Sequence, residues 1–227
     1  MIDFIKGFGT NFHKIYIENA KLYNDFSSAE IFSTELSQKI ESLFVGEVAL
    51  DVGAGTCHKT NIFSSFFDKI YGLDPSKELL DFARDKNSNN RKIEYLLSSA
   101  DHIPLLDNSV DVIISTWASL PLEEAISEMK RVCKPNGNII RIGTTVIDEF
   151  TSMFPEYSMD RINYVNEYFR NQGFVEEVHD VLIKFEDLQK AKNILSLVLG
   201  IDKDLVLKSE YVHEVVLHYK KNVKIQR

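Results

Sequence analysis

Short apolar segments rich in β-branched residues alternate with amphipathic segments over much of the chain, and this alternation constrains the fold most. The apolar segments predict five strands, at residues 47–52, 69–74, 92–97, 110–115 and 138–142. Their apolar density indicates cover on both faces, as in a parallel sheet. Helical segments lie between most of them, one starting near Ser76 and another running from about Pro121 to Val132. The pattern predicts a doubly wound α/β fold.

The regions on either side of this core have a different character. Residues 1–43 look entirely helical and predict an N-terminal cap. After the core, segments 175–185 and 214–220 look like two longer strands separated by a helical stretch. Two such strands fit an antiparallel edge on a parallel sheet. We therefore expect one domain, with a cap (1–43), a core (44–143) and a final segment (144–227) that carries the antiparallel strands.

Charge and cysteine content exclude several classes of function. The formal net charge is −8, which disfavours nucleic acid as a partner because phosphate binding needs clustered cations. The only cysteines, Cys57 and Cys133, form no metal-binding or disulfide pattern, which suits a reducing cytoplasm. No apolar run reaches the roughly 18–20 residues of a membrane span. We expect a cytoplasmic protein that binds no metal, nucleic acid or membrane.

The strongest local signal is the segment Leu50-Asp-Val-Gly-Ala-Gly-Thr56, which follows a predicted strand and opens a helix. Gly53 and Gly55 let the backbone approach a ligand with no β-carbon in the way. The helix start offers free N–H groups and the positive end of its dipole. The loop therefore predicts a ligand site, the alternative being a tight turn alone.

An acidic residue strengthens this interpretation. Asp74 ends the second predicted strand, about twenty residues after the glycines, where such a fold places a carboxylate on ribose hydroxyls. A pyrophosphate fingerprint needs a third glycine in the G-x-G-x-x-G spacing, and that position is His58. The pattern therefore weakens the interpretation as a dinucleotide site.

With these residues in view, the chain resembles the class I methyltransferases, in particular the small-molecule branch often called type 11. The resemblance covers roughly residues 46–143. Four segments carry it in the right order: Asp51-Val-Gly-Ala-Gly-Thr56, Tyr71-Gly-Leu-Asp-Pro-Ser76, Ala100-Asp-His-Ile-Pro-Leu105 with Asp107-Asn-Ser-Val-Asp111, and Arg131-Val-Cys-Lys-Pro-Asn-Gly137. The late antiparallel strands also match the family's sheet.

The resemblance implies a Rossmann-like, mostly parallel, seven-stranded sheet that binds S-adenosyl-L-methionine. The residues that it assigns to the cofactor are Asp51, Gly53, Ala54, Gly55, Thr56, Asp74, Pro75, Ser99, Ala100, Asp101, Ser115 and Trp117. Two positions depart from the family pattern. Cys57 stands where a third glycine is usual, and Ser99 stands where an acid often reaches the adenine. Either Ser99 or Asp101 takes that role.

The implied reaction moves a methyl group to a small acceptor, at an oxygen, nitrogen, sulfur or carbon atom that the sequence leaves open. Tyr16, Tyr23, Trp117 and Tyr157 are the candidate acceptor contacts, with packing as the alternative for each. We expect the N-terminal region and the aromatic-rich segment 144–168 to form a lid.

No catalytic base is assigned, and we interpret His58 and His102 as polar loop residues. Two other functions remain open: a catalytically silent regulatory protein that binds the same cofactor, and a nicotinamide-dependent oxidoreductase.

Overall fold

A computed structural model describes residues 19–153 and 158–221 of the chain. Its strands are β1 (Glu30–Phe32), β2 (Val48–Val52), β3 (Lys69–Asp74), β4 (Ile93–Leu97), β5 (Val110–Thr116), β6 (Cys133–Thr144), β7 (Val175–Lys184) and β8 (Glu210–Lys220). Its α-helices are α1 (Ala20–Ser28), α2 (Thr34–Ser42), α3 (His58–Phe63), α4 (Lys77–Lys86), α5 (Leu122–Val132), α6 (Met159–Asn171) and α7 (Leu188–Leu199).

The strands form one sheet in the order β1-β7-β8-β6-β5-β2-β3-β4. Strands β2 to β6 are parallel, whereas β8, β7 and β1 continue the sheet in antiparallel pairing. The chain runs outward from β2 through β3 to β4 and then returns to β5 on the other side of β2. Open α/β sheets bind ligands at such a reversal, which here lies at the carboxyl ends of β2 and β5. The doubly wound, mostly parallel Rossmann-like fold is confirmed.

Both faces of the sheet are buried, and neighbouring residues of β5 show it. Ile113 belongs to an apolar cluster with Met129 of α5 and Phe169 of α6, whereas Ile114 belongs to a second cluster with Leu36 of α2 and Leu195 of α7. Successive side chains of a strand point to opposite faces, so a continuous apolar run indicates helices on both sides.

The sheet has an eighth strand that the sequence pattern did not predict. The N-terminal region was expected to be entirely helical, yet β1 interrupts it and pairs with β7 from Glu30↔Ile183 to Phe32↔Val181. Three residues are too few to show the alternation of apolar and polar side chains by which a strand is recognised in a sequence. The strand exists because the edge of β7 offers free backbone groups to a chain that passes beside it.

Strand β6 also begins earlier than expected. Residues 134–137 were interpreted as a turn, but they lie inside β6 as an irregularity in its pairing with β5. Val110 pairs with Cys133 and Val112 with Asn138, so the extra residues bulge out between two paired positions.

One residue of the segment predicted to form a lid lies in the core instead. Phe150, expected to line a lid, is buried in the core against Tyr211. Helix α7 lies between β7 and β8 in the chain and contacts α1, on the sheet face that carries α2.

Among the described residues, no helix is long and apolar enough to cross a membrane.

Candidate functional site

The loop after β2 folds back onto the end of β3. The N–H groups of Gly53 and Ala54 both donate to the carbonyl oxygen of Leu73, at 2.9 and 3.0 Å. Gly53 has φ 76°, and a β-carbon there would lie 2.4 Å from that of Ala118. Gly55 has φ 55°. Both positions therefore require glycine for backbone conformation, and Gly53 also for space.

Asp74 joins this loop to the start of α4. One carboxylate oxygen, Oδ2, accepts from the N–H of Gly55 at 2.9 Å, and Oδ1 accepts from the N–H of Ser76 at 2.9 Å. Burial raises the pKa of Asp74, while the two backbone hydrogen bonds act in the opposite direction. Each oxygen retains a second lone pair, so the carboxylate can still accept from two ligand hydroxyls.

A second acid, Asp51, lies beneath the loop in β2. Its Oδ2 accepts from Thr60 Oγ1 at 2.6 Å. Burial raises the pKa of Asp51 to about 7, against the opposing hydrogen bond from Thr60.

The loop region contains polar atoms whose hydrogen-bonding capacity is unused. Among the described residues, nothing bonds Asp51 Oδ1 or Thr56 Oγ1, although both atoms are buried. Unpaired buried polar atoms are costly and uncommon away from functional sites. Together with Asp74 and the glycines, these atoms fit a ligand that carries both an amino group and a ribose.

Cys57 occupies the position where the related family usually has glycine. It precedes α3 in a left-handed conformation, with φ 53° and ψ 31°, which explains why glycine is favoured there. The thiol is fully buried, and this burial raises its pKa. The loop thus closes around cysteine, with the side chain packed beside Leu80 and Ala83 of α4.

The loop after β4 lies beside Asp74, because the N–H of Ser98 donates to the carbonyl oxygen of Asp74 at 3.3 Å. Ser99 and Asp101 are both exposed, and the Ser99 hydroxyl donates to the Asp101 carboxylate. Ala100 between them is buried. The two candidates for the adenine contact therefore form one hydrogen-bonded pair, and their individual roles stay a prediction.

The residues after β5 reach the same edge of the sheet. Trp117 is half-buried with φ 51°. Its backbone N–H donates to the carbonyl oxygen of Ile142 at 3.0 Å. Its indole packs against Phe32 of β1, with 6.2 Å between ring centroids. The Ser115 hydroxyl donates to the carbonyl oxygen of Val52 at 3.0 Å, so it ties β5 to the base of the loop.

Helix α1 covers the loop through Tyr23. A β-carbon on Gly55 would lie 3.1 Å from Tyr23 Cε1, which places the phenol ring directly over the backbone. Of the other predicted contacts, Pro75 is exposed between Asp74 and the N-cap residue of α4. Tyr16 and Tyr157 lie outside the described residues.

The structure adds residues that the sequence analysis missed. Lys59 Nζ donates to the backbone oxygen of Glu30 at 2.9 Å, lies 3.3 Å from Glu30 Oε2 and stands 4.4 Å from the centroid of Phe32. Lys59 follows the glycine loop by only four residues, and this proximity in sequence could have indicated its place near the site. No local sequence feature indicated Glu30 or Phe32, because their position depends on the pairing of β1 with β7.

The two loop histidines differ in setting. His58 approaches Ser28 Oγ at 3.4 Å through Nδ1, and burial with the nearby charges of Lys59 and Lys86 lowers its pKa to about 4. It is therefore a neutral imidazole. His102 is exposed.

Within the described ranges, no cluster of three or more His, Cys, Asp or Glu side chains is placed to hold a metal.

Comparison with known proteins relates part of this chain to methyltransferases. Residues 50–141 match the family model described as methyltransferase domain. The chain is 34% identical over 122 residues to malonyl-[acyl-carrier protein] O-methyltransferase of Yersinia pestis, covering 51% of this chain and 44% of that protein. It is 27% identical over 152 residues to the uncharacterized methyltransferase YcgJ of Bacillus subtilis, covering 60% and 58%. The chain thus spans about half the length of these curated relatives.

Solved structures support the fold over a longer range. A SAM-dependent methyltransferase from Aquifex aeolicus aligns with a TM-score of 0.56 at 20% identity, covering 91% of this chain and 94% of that one. At this identity the likeness concerns the fold alone. The matched family segment begins at Leu50 and ends at Arg141, so it includes the loop, Asp74 and Trp117.

Proposed function

Because the chain carries a class I S-adenosylmethionine-dependent methyltransferase domain, we propose that the protein transfers a methyl group from S-adenosyl-L-methionine to a small-molecule acceptor. The observation that carries the proposal is the bridge from Gly55 N–H to Asp74 Oδ2 at 2.9 Å. This bridge holds the carboxylate that we assign to the ribose beside the glycine loop.

The assigned roles follow from position. Asp74 accepts the ribose hydroxyls, Gly53 and Gly55 let the loop take the left-handed backbone conformation that borders the ligand, and Asp51 Oδ1 accepts from an amino group. Ser99 or Asp101 contacts the adenine. The cofactor supplies an activated methyl group on a sulfonium, so the protein's contribution is mainly to orient the acceptor and exclude water.

The cover over the site supports a small acceptor. Tyr23 lies on Gly55, Phe32 packs on Trp117, and α1 contacts both α3 and α7. An enclosed approach of this kind suits a molecule of limited size. The net charge of −8 argues against a nucleic-acid partner, and we include neither nucleic acid nor membrane in the proposal.

The relative from Yersinia pestis is named for a malonyl group on a carrier protein. We include this group among the acceptors to be tested. A cytoplasmic location is also part of the proposal, on the ground that Cys57 and Cys133 are both buried free thiols.

The first experiment measures binding. Thermal shift and calorimetry with S-adenosylhomocysteine, and in parallel with NAD, separate a methyltransferase from an oxidoreductase. We expect stabilisation by S-adenosylhomocysteine alone. Stabilisation by NAD alone would overturn the cofactor assignment.

The second experiment measures turnover. The intact protein is incubated with S-adenosylmethionine and phenols, thiols, amines, carboxylates, a malonyl thioester and folded tRNA, and S-adenosylhomocysteine production is followed. We expect turnover with a small acceptor and none with tRNA. Cofactor binding without any turnover would favour a silent regulatory protein, and efficient tRNA methylation would refute the enclosed site.

A further inference from the structure

Two ion pairs lie outside the cofactor loop, close enough that the charge of His213 in one pair acts on Glu30 in the other. Glu30 and Lys59 form one pair at 3.3 Å, and Asp148 and His213 form another at 2.7 Å. All four are largely buried: the exposed fraction of their side chains is between 3% and 16%. Buried charges are expensive, and such clusters in a ligand-binding crevice are candidates for function.

The register of the sheet places the second pair near the acceptor side. Phe32 pairs with Val181, and Val181 pairs with His213, so Phe32 and His213 lie in one row on the same face. Phe32 in turn contacts Trp117, which follows β5. Asp148 follows the carboxyl end of β6 by four residues. The His213 pair therefore lies at the edge where the parallel strands end.

The geometry of the pair determines the protonation of the ring. Burial acts to raise the pKa of Asp148, but hydrogen bonds from His213 and from the N–H groups of Thr151 and Glu214 hold it far below its usual range. Asp148 is therefore an ionised acceptor, and His213 Nδ1 carries the proton that it donates. In the neutral ring the lone pair resides on Nε2, which no described residue bonds. A carboxylate that fixes the tautomer in this way leaves the imidazole ready to accept a proton.

The first pair sets the charge of the space. Lys59 is positive, Asp148 is negative, and burial raises the pKa of Glu30 to about 7 despite the opposing charge of Lys59. With His213 in the neutral form that a base requires, the sum of these groups is neutral to negative near neutral pH. An ionised carboxylate acceptor would gain little from this field, whereas an uncharged acceptor enters without repulsion.

We propose, on the basis of the methyltransferase function proposed above, that His213 is a catalytic base and that the acceptor is an uncharged protic molecule such as a phenol or a thiol. The acceptor atom forms a bond to the methyl carbon while the carbon–sulfur bond of the sulfonium breaks, its electron pair remaining on sulfur. The acceptor proton moves to His213 Nε2, and the imidazolium is stabilised by Asp148.

The test compares His213→Gln with two other variants. Asp148→Asn removes the charge that orients the ring. His179→Gln is the matched control, since His179 is a buried strand histidine that lies opposite Val215, farther from the edge. Each variant is first assayed for thermal unfolding and for S-adenosylhomocysteine binding, and we expect affinity within about threefold of the wild type for all three.

Turnover is measured with substituted phenols and thiols. Carboxylates carried on an aromatic ring of the same size are assayed for comparison. General-base catalysis contributes roughly 10²–10⁴-fold, so His213→Gln should lower kcat by at least about 100-fold. Asp148→Asn should lower it less, and His179→Gln should leave it unchanged. The wild type should methylate phenols or thiols in preference to carboxylates.

A second readout does not depend on activity. In the cofactor-free protein, imidazole ¹H–¹⁵N spectra should show His213 as the Nδ1–H tautomer, with a proton signal that shifts in Asp148→Asn. The Nε2–H tautomer in the wild type, unchanged kcat in His213→Gln, or a preference for carboxylates would each overturn this inference and leave the proposed function intact. Cofactor binding with no turnover of any acceptor would overturn both.

Discussion

The thiol of Cys57 fills the space beside Gly72, so that a β-carbon on Gly72 would lie 2.7 Å from the sulfur. The next nearest atoms, Ala54 Cβ and Thr60 Cγ2, would be at ordinary contact distances of 3.5 and 3.6 Å. The cysteine in the loop and the glycine in β3 therefore depend on each other. Cysteine can replace the usual loop glycine at position 57 because Gly72 in β3 leaves room for its sulfur.

This dependence predicts a compensating pair of substitutions. Gly72→Ala should destabilise the protein by about 1–3 kcal/mol, because it overpacks a filled site. Cys57→Gly should recover most of that loss in the double variant, since it removes the sulfur and also relieves the left-handed backbone at φ 53°. Urea unfolding of the four proteins measures the coupling. Additive effects would show that the two positions are independent.

The Cys57→Gly single variant tests the cofactor site separately. Glycine adopts the left-handed conformation without strain, while loss of the thiol leaves a small cavity beside Leu80 and Ala83. We expect S-adenosylmethionine affinity to be equal to that of the wild type or better, as calorimetry would show. A loss of tenfold or more would mean that the thiol itself contributes to binding.

Asp74→Ala should weaken S-adenosylmethionine binding by at least about tenfold. Each charge-assisted hydrogen bond to a ribose hydroxyl contributes roughly 1.5–3 kcal/mol, and about 1.4 kcal/mol corresponds to tenfold. The matched control is Asp85→Ala, on the exposed side of α4, which should bind normally. Unchanged affinity in folded Asp74→Ala would remove this residue from the site.

Gly55→Val should lower cofactor affinity by at least about 100-fold, because the side chain would occupy the space that the ligand needs. The same side chain would also press on Tyr23. Combining Gly55→Val with Tyr23→Ala separates the two effects. If the double variant binds normally, the substitution acts by moving the tyrosine and not by excluding the cofactor.

Asp51 should make stability depend on pH in a defined direction. Burial raises its folded-state pKa from 3.8 to about 7, with Asp74 adding to the shift and Thr60 and Lys59 opposing it. The folded protein then binds more protons than the unfolded chain between about pH 4 and 7, so this residue's contribution to stability falls as pH rises through that window.

Asp51→Asn removes this titration while keeping an oxygen for Thr60. The free energy of unfolding of the variant, minus that of the wild type, should therefore increase between pH 4.5 and 7, by at most about 1.4 kcal/mol per pH unit, and level off above. Urea unfolding at pH 4.5, 6 and 8 measures the difference. A constant difference across these conditions would mean that Asp51 is ionised throughout.

Much of the core could be predicted because it is local. The strand at 69–74 was predicted at its observed bounds, and α4 starts near Ser76 as expected, with the Ser76 side chain accepting from Leu79 N–H as its N-cap. The glycine loop and Asp74 lie at the ends of adjacent parallel strands. Since parallel strands end at one edge, their proximity follows from order along the chain alone.

By itself, the sequence determined the layering, the loop and the acid that faces it, because periodicity, glycine and strand order act over a few residues. Only the tertiary structure decided that β1 is a strand, that α7 contacts α1, and that Asp148 meets His213 across 65 positions. A three-residue edge strand and a long-range ion pair have no local period. Their formation depends on which backbone edges and charges folding brings together, and that is a property of the assembled sheet.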